Sequence, residues 1–419
     1  MRDGCKILPK ILRALSLGAA CGVSATAYAG GINKQDFNQV ERGYYLAVVA
    51  DCAACHTLPG SGHEFAGGRS LETPFGTLIA PNITPDPQTG IGAWTDDEFV
   101  NALTKGTGRG GTHLYPAMPY TYYTKLTRDD VLAIRAYLNT VPAVHNVVRA
   151  NQLPFPFNIR ASLTAWDKMF FTPGEFRPDP GKSAEWNRGA YLAEGAAHCG
   201  MCHTPKNILG ADKASERLQG DALQGWFAPD ITNDSRRGLG SWQVDDIVAY
   251  LKTGHNRTGA ASGPMSETLN LSTSRMSDDD LKAIAVYLKD HRGRPTGAPA
   301  TPDRAAMKIG QQIYADECSG CHTRDGQGAA GLFPSLSGSP VVQQTDPASL
   351  LRVILRGALS VGTDKAPTGP AMPAFGWVLN DDQIAAVVTY IRNAWGNAAP
   401  EVSASQVGKT RRSLAERTD

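Results

Sequence analysis

The chain has 419 residues, too many for one ordinary domain, and its 42% hydrophobic and 19% charged content describes globular cores rather than a disordered or fibrous protein. A formal net charge of +1, with no basic stripe interleaved with aromatics, argues against a nucleic-acid partner. The opening "MRDGCKILPKILR" carries Arg2, Lys6, Lys10 and Arg13, and the apolar small-residue run behind it ends in Ala27-Tyr28-Ala29. Residues 1–29 are therefore expected to be a cleaved signal peptide. Lipidation of Cys21 is the rival reading, but Gly18 stands where such a signal wants leucine. No stretch has the length of a spanning helix, so the exported chain is expected to be soluble or only peripherally attached to a membrane.

Beyond the signal, "ERGYYLAVVADCAACH" predicts a helix containing Gly43 that runs into Cys52, Cys55 and His56. Thr127 then caps "RDDVLAIRAYL", apolar at helical spacing. The same frame returns with Gly189, Cys199, Cys202 and His203, closed by "DDDLKAIAVYL" after Ser277. It returns again with Gly310, Cys318, Cys321 and His322, closed by "DDQIAAVVTYI" after Asn380. Such self-similarity marks a repeat architecture. Units one and two share more, since "APNITPDPQTGIGAWTDDEFVNALTKG" matches "APDITNDSRRGLGSWQVDDIVAYLKTG". Unit three is shorter and lacks the tryptophan. The predicted domains are 33–145, 183–293 and 300–397, with a polar tail at 398–419. Residues 146–182 form a linker too rich in aromatics (Phe155, Phe157, Trp166, Phe170, Phe171) to be solvated. It is expected to pack across its own domains, the alternative being a partner interface.

Cys5 and Cys21 fall in the signal, and the other six cysteines make three C-x-x-C-H motifs. A structural zinc site wants a second pair of ligands nearby, which no copy has. Disulfides would not require a histidine after every second cysteine. The pattern is that of haem c attachment: both thiols add to the haem vinyl groups, and the histidine becomes an iron ligand. Three covalently bound haem c groups are expected, on Cys52 and Cys55, Cys199 and Cys202, and Cys318 and Cys321, with His56, His203 and His322 on the irons.

A methionine on the far side of each iron closes it and raises its potential. "YPAMPY" supplies Met118 and "GPAMPAF" supplies Met372, both in Pro-rich loops before a closing helix. Unit two offers Met265 and Met276. His56 and Met118 are 62 residues apart, as are His203 and Met265, whereas Met276 lies 73 from His203. Met276 also directly precedes the Ser277 cap, where Leu126 and Leu379 stand in the other units, so it is read as an apolar staple of the helix entry. The sixth ligands are then Met118, Met265 and Met372. Pro334, 12 residues after His322, suits a carbonyl that orients the imidazole, and the repeat suggests Pro81 and Pro229 for the same role. The remaining histidines (63, 113, 145, 198, 255 and 291) are expected at the surface.

A first helix with glycine, the motif, and a closing helix bearing Tyr137, Tyr287 or Tyr390 resembles the class I cytochrome c fold, in which that glycine lets the two helices cross closely. The expected fold class is mainly α, three such domains in tandem behind the signal. With "PNITPDPQTGIGAWT", "YPAMPY" and "LPFPFNIRASLTAWDKMFF" added, nearly the whole mature chain resembles the tri-haem cytochrome c subunits of membrane-bound periplasmic dehydrogenases. These serve alcohol, gluconate, fructose, sorbitol, glucose and aldehyde dehydrogenases. The resemblance implies a catalytic partner subunit with flavin, pyrroloquinoline quinone or molybdenum, a small third subunit in some complexes, and electrons passed to ubiquinone or a terminal oxidase. It implies a place on the periplasmic face of the inner membrane, which some relatives reach through an amphipathic C-terminal segment. Three closed irons without an acid–base constellation agree with a carrier that turns over no substrate itself. The alternatives are a self-sufficient haem enzyme such as a periplasmic peroxidase, which needs an open iron, and a free electron shuttle.

Overall fold

The computed structural model describes residues 37–294, 297 and 299–415; the predicted signal peptide lies outside them. In unit one, α1 (Phe37–Val49) leads to the motif helix α2 (Cys52–His56), a ribbon of β1 (Ser70–Thr73) and β2 (Gly76–Ile79), α3 (Asp96–Lys105), the short α4 (Tyr120–Tyr123) and the closing α5 (Arg128–Leu138). The linker carries α6 (Leu163–Phe170). Unit two repeats the plan with α7 (Ala184–Tyr191), α8 (Gly200–His203), β3 (Asp221–Leu223), β4 (Trp226–Ala228), α9 (Val244–Thr253), α10 (Pro264–Leu271) and α11 (Asp278–Asp290). Unit three has α12 (Arg304–Ile313), α13 (Ser319–His322), α14 (Ala348–Arg356), the two-residue strands β5 (Ala358–Leu359) and β6 (Ala371–Met372), α15 (Asp381–Asn393) and a last helix, α16 (Ala404–Ala415).

In each unit the first and closing helices cross at the predicted glycine. A Cβ on Gly43, Gly189 or Gly310 would fall inside the carbonyl group of Ala133, Ala283 or Ala386, so only hydrogen lets the backbones approach this closely. The closing helices begin where their caps predict: Thr127 accepts from the Asp130 amide, Ser277 from Asp280 and Asn380 from Gln383. Just ahead of those caps Leu126, Met276 and Leu379 are all buried.

Among the described residues the apolar cores are two. Leu46, Val49, Leu126 and Ile134 of unit one join Leu192, Met276, Leu281 and Ile284 of unit two in one continuous cluster. Unit three builds its own around Leu351, Ile354, Ile384 and Val388. Residues of the polar tail complete that second core: Val407 and Leu414, one face of α16 at i, i+7, are buried, and Arg411 pairs with Asp381 at 2.8 Å.

The aromatic linker packs across both flanking units. Phe157 meets Phe75, Tyr120 donates to Asp167 at 2.7 Å, Trp166 Nε1 donates to the Leu209 carbonyl at 2.9 Å, and Phe176 rests on Tyr191. It does not bury all its apolar surface, since Phe155 is 78% and Met169 60% exposed.

Candidate haem centres

Each motif is a single helical turn, so its two cysteines, three positions apart, project from one face with the histidine next in line. In units one and two a left-handed residue turns the chain into that helix, Asp51 (φ 51°) and His198 (φ 35°). In unit three a π-turn, Tyr314–Cys318, runs straight into it. None of the six motif cysteines is joined to another in a disulfide. Burial pushes Cys52, Cys199 and Cys318 up to about 12 and Cys55 up to about 11. Among the described residues no three His, Cys, Asp or Glu side chains converge, as a zinc site built by the protein alone requires.

The imidazoles are fixed from behind. His56 Nδ1 lies 2.7 Å from the Pro81 carbonyl oxygen, His203 Nδ1 2.7 Å from that of Pro229, and His322 Nδ1 3.1 Å from that of Pro334. Burial lowers all three pKa values, partly offset by those carbonyls, and keeps the rings neutral. A carbonyl only accepts, so Nδ1 carries the proton and Nε2 keeps a lone pair for a metal. The ribbons explain the unequal spacing. The strands β2 and β4 deliver Pro81 and Pro229, 25 and 26 residues after their histidines, whereas a tight loop brings Pro334 back after 12.

The candidate sixth ligands sit in three different local structures. Met118 lies in a turn, its amide donating to Tyr115 and its carbonyl accepting from Tyr120. Met372 lies in β6, opposite Ala358. Met265 is the second residue of α10. The difference follows from proline: Pro119 and Pro373 follow their methionines and cannot continue a helix, while Pro264 precedes Met265 at the favoured first position. All three methionines are half-buried, with a side still open. Met276 is 0% exposed and fully committed to the core. Cys52, Cys199 and Met118 line the first core, Cys318 and Met372 the second.

The surface expectation holds for His63 and His145, whereas His113, His198, His255 and His291 are half-buried. His198 lies between units one and two, its Nε2 3.4 Å from the Ala50 carbonyl and its ring 5.7 Å from that of Tyr123. The left-handed turn into α8 carries it inward, which no local pattern announces.

Three separate segments, 40–142, 187–292 and 307–395, match the family model described as Cytochrome c. The chain belongs to the cytochrome c family. It therefore binds haem c covalently, one group for each cytochrome c segment. It is 40% identical to the cytochrome c subunit of alcohol dehydrogenase (quinone) from Gluconacetobacter polyoxogenes, over 89% of this chain and 84% of that one. It is 38% identical to the gluconate 2-dehydrogenase cytochrome c subunit of Pantoea cypripedii, over 89% of each. It is 39% identical to the fructose dehydrogenase cytochrome subunit of Gluconobacter japonicus, over 89% of this chain and 82% of that one. This cytochrome c has no helix, among its described residues, long and apolar enough to cross a membrane.

Proposed function

We propose that this cytochrome c is the electron-transfer subunit of a periplasmic dehydrogenase complex, taking electrons from a catalytic subunit that oxidises an alcohol, sugar, sugar acid or aldehyde. The observation that carries the reading is the threefold recurrence of one arrangement in a single chain: a C-x-x-C-H turn whose histidine is oriented by a proline carbonyl. The names of its relatives supply the kind of partner. Bound haem c supplies a one-electron iron couple in each unit. The chain's own residues hold those groups at fixed separations. Cys52 and Cys55, Cys199 and Cys202, and Cys318 and Cys321 tether them. His56 with Met118, His203 with Met265, and His322 with Met372 would ligate the three irons, and an iron held by two protein ligands would suit electron transfer rather than substrate turnover.

In this reading the partner carries flavin, pyrroloquinoline quinone or molybdenum, a small third subunit completes the complex in some cases, and ubiquinone or a terminal oxidase accepts the electrons. Residues 1–29 direct export, and the complex sits on the periplasmic face of the inner membrane. Because α16 spends its apolar face on unit three, attachment through this tail is disfavoured and falls to other surfaces or to the partner.

Affinity purification from the native membrane, followed by anaerobic addition of candidate substrates, tests the proposal. A stoichiometric dehydrogenase subunit and substrate-dependent reduction of all three haems are expected. A chain recovered alone, with high-spin iron and peroxide turnover, would overturn it.

A further inference from the structure

The two units that share a core also support one another's ligand-bearing segments. Arg69 stands at the end of the unit-one loop, one residue before β1. Its guanidinium donates to the Ala54 carbonyl inside the first motif and forms a forked pair with Glu267 of α10, with Nη2 to Oε2 at 2.9 Å. Glu267 lies two residues beyond Met265. The turn after α10 is fastened to the same unit, where Ser272 Oγ donates to the Val49 carbonyl at 3.3 Å. At its other end α10 starts from Gly263 (φ 60°), where a Cβ would run into the Trp226 ring, which in turn sits under Arg352 of unit three at 4.6 Å. Met265 is thus held between a unit-two anchor and a unit-one anchor.

The support is returned. Tyr122 of α4, four residues beyond Met118, donates to Asp212 of unit two, and its hydroxyl fills the space over Gly200 inside the second motif. A Cβ on Gly200 would stand 2.9 Å from that oxygen. Next to it, Tyr123 packs on His198, the residue preceding Cys199.

We propose that the first two iron sites are cross-braced: Arg69 of unit one is a positioning residue for the sixth ligand of unit two, and the Tyr122–Gly200 contact does the same for Met118. The inference rests on Met118 and Met265 being those ligands. A two-pronged guanidinium–carboxylate pair fixes direction as well as distance. Without it the first turn of α10 keeps a single anchor, and Met265 yields its place to an external ligand more readily.

The test uses the full haem-loaded chain. Imidazole is titrated in while the methionine-to-iron charge-transfer absorption and the ligand-methyl NMR signals are followed, each signal being assigned by Met118→Ala, Met265→Ala and Met372→Ala. Arg69→Ala should let imidazole displace Met265 at a concentration about three- to tenfold lower, with Met118 and Met372 unmoved. Glu267→Gln, which keeps the Arg69–Ala54 bond, should shift Met265 the same way. Arg69→Lys should restore only part of the loss, because an ammonium cannot fork. Gly200→Ala in unit two should shift Met118 of unit one. An unchanged Met265 midpoint in Arg69→Ala, or an equal shift in all three signals, overturns the brace. Survival of all three signals in Met265→Ala overturns the ligand assignment, and the brace with it. The two failures differ because the second appears before any brace residue is touched.

Discussion

Tyr45 of unit one donates a 2.6 Å hydrogen bond to Asp280 of unit two. The contact is reciprocal, for Tyr191 of unit two donates to Asp130 of unit one. Each carboxylate is also held by an arginine of its own unit, Arg188 on Asp280 and Arg42 on Asp130. Each tyrosine lies at the partner's helix cap: the Ser277 amide donates to Tyr45 at 3.2 Å and the Thr127 amide to Tyr191 at 3.2 Å. This is the self-complementary logic of a symmetric dimer interface, written into one chain.

Tyr45→Phe should therefore weaken the pairing of the two units by about 1–2 kcal/mol, the cost of one charge-assisted bond with Arg188 still in place. Tyr191→Phe should match it. Denaturant melts of the haem-loaded protein would show both, with the unit-three transition unmoved.

The same pair sets an acid limit. Burial pushes the Asp280 carboxyl up, but the Arg188 fork, with both contacts at 2.8 Å, and Tyr45 outweigh it and hold the group below its usual value. An acid whose pKa is depressed on folding adds stability above its unfolded value of about 4 and loses it as the pH falls through the folded one. Melts taken between about pH 7 and pH 3 should show the first transition falling below about pH 4. Asp280→Asn should flatten that fall and lower the neutral plateau by about 2–3 kcal/mol.

Gly310→Ala drives a methyl into the Ala386 carbonyl and should cost about 3 kcal/mol or more by forcing α12 off α15. Gly320→Ala, where a Cβ meets nothing within 4 Å, should stay within about 0.5 kcal/mol. Thermal scans of the two variants make the comparison.

The two methionines of unit two should separate cleanly. Met265→Ala should remove one methionine-ligated signal at little cost in stability. Met276→Leu should leave all three signals in place, and Met276→Ala should leave a cavity worth about 2–4 kcal/mol. Absorption and melting curves on the same samples decide it.

Ending the chain at Ser403 removes Val407 and Leu414 from the second core and Arg411 from Asp381. Unit three should lose about 3–5 kcal/mol, seen as a lower second transition while the first is unchanged.

What could be read from the sequence was what is local or repeated. The motif turns, the crossing glycines, the caps at Thr127, Ser277 and Asn380, and the burial of Met276 beside Leu126 and Leu379 all follow from short spacings. Met265 in a helix was also legible in principle, because Pro264 precedes it and no proline follows. The cross-braces were not. Arg69 and Glu267 are 198 positions apart, and Tyr45 and Asp280 are 235 apart. Nothing near either partner reveals the other, and each reads alone as an ordinary surface charge or helix aromatic. The tail's share in the third core is hard to read for a related reason: two apolar residues on one face are a faint signal in a polar helix, yet Val407 and Leu414 are both buried there.

The shared core of the first two units has a consequence for synthesis. Leu126, Leu192 and Met276 belong to one cluster, so a nascent chain that has completed only unit one still lacks half of its interior. That half closes when α11, ending at Asp290, has emerged, whereas unit three has an apolar interior of its own and meets unit two through polar bonds such as Ser349 with Phe227 and Gln344 with Arg237. The first two motifs therefore mature into one shared interior, and the third into a separate one.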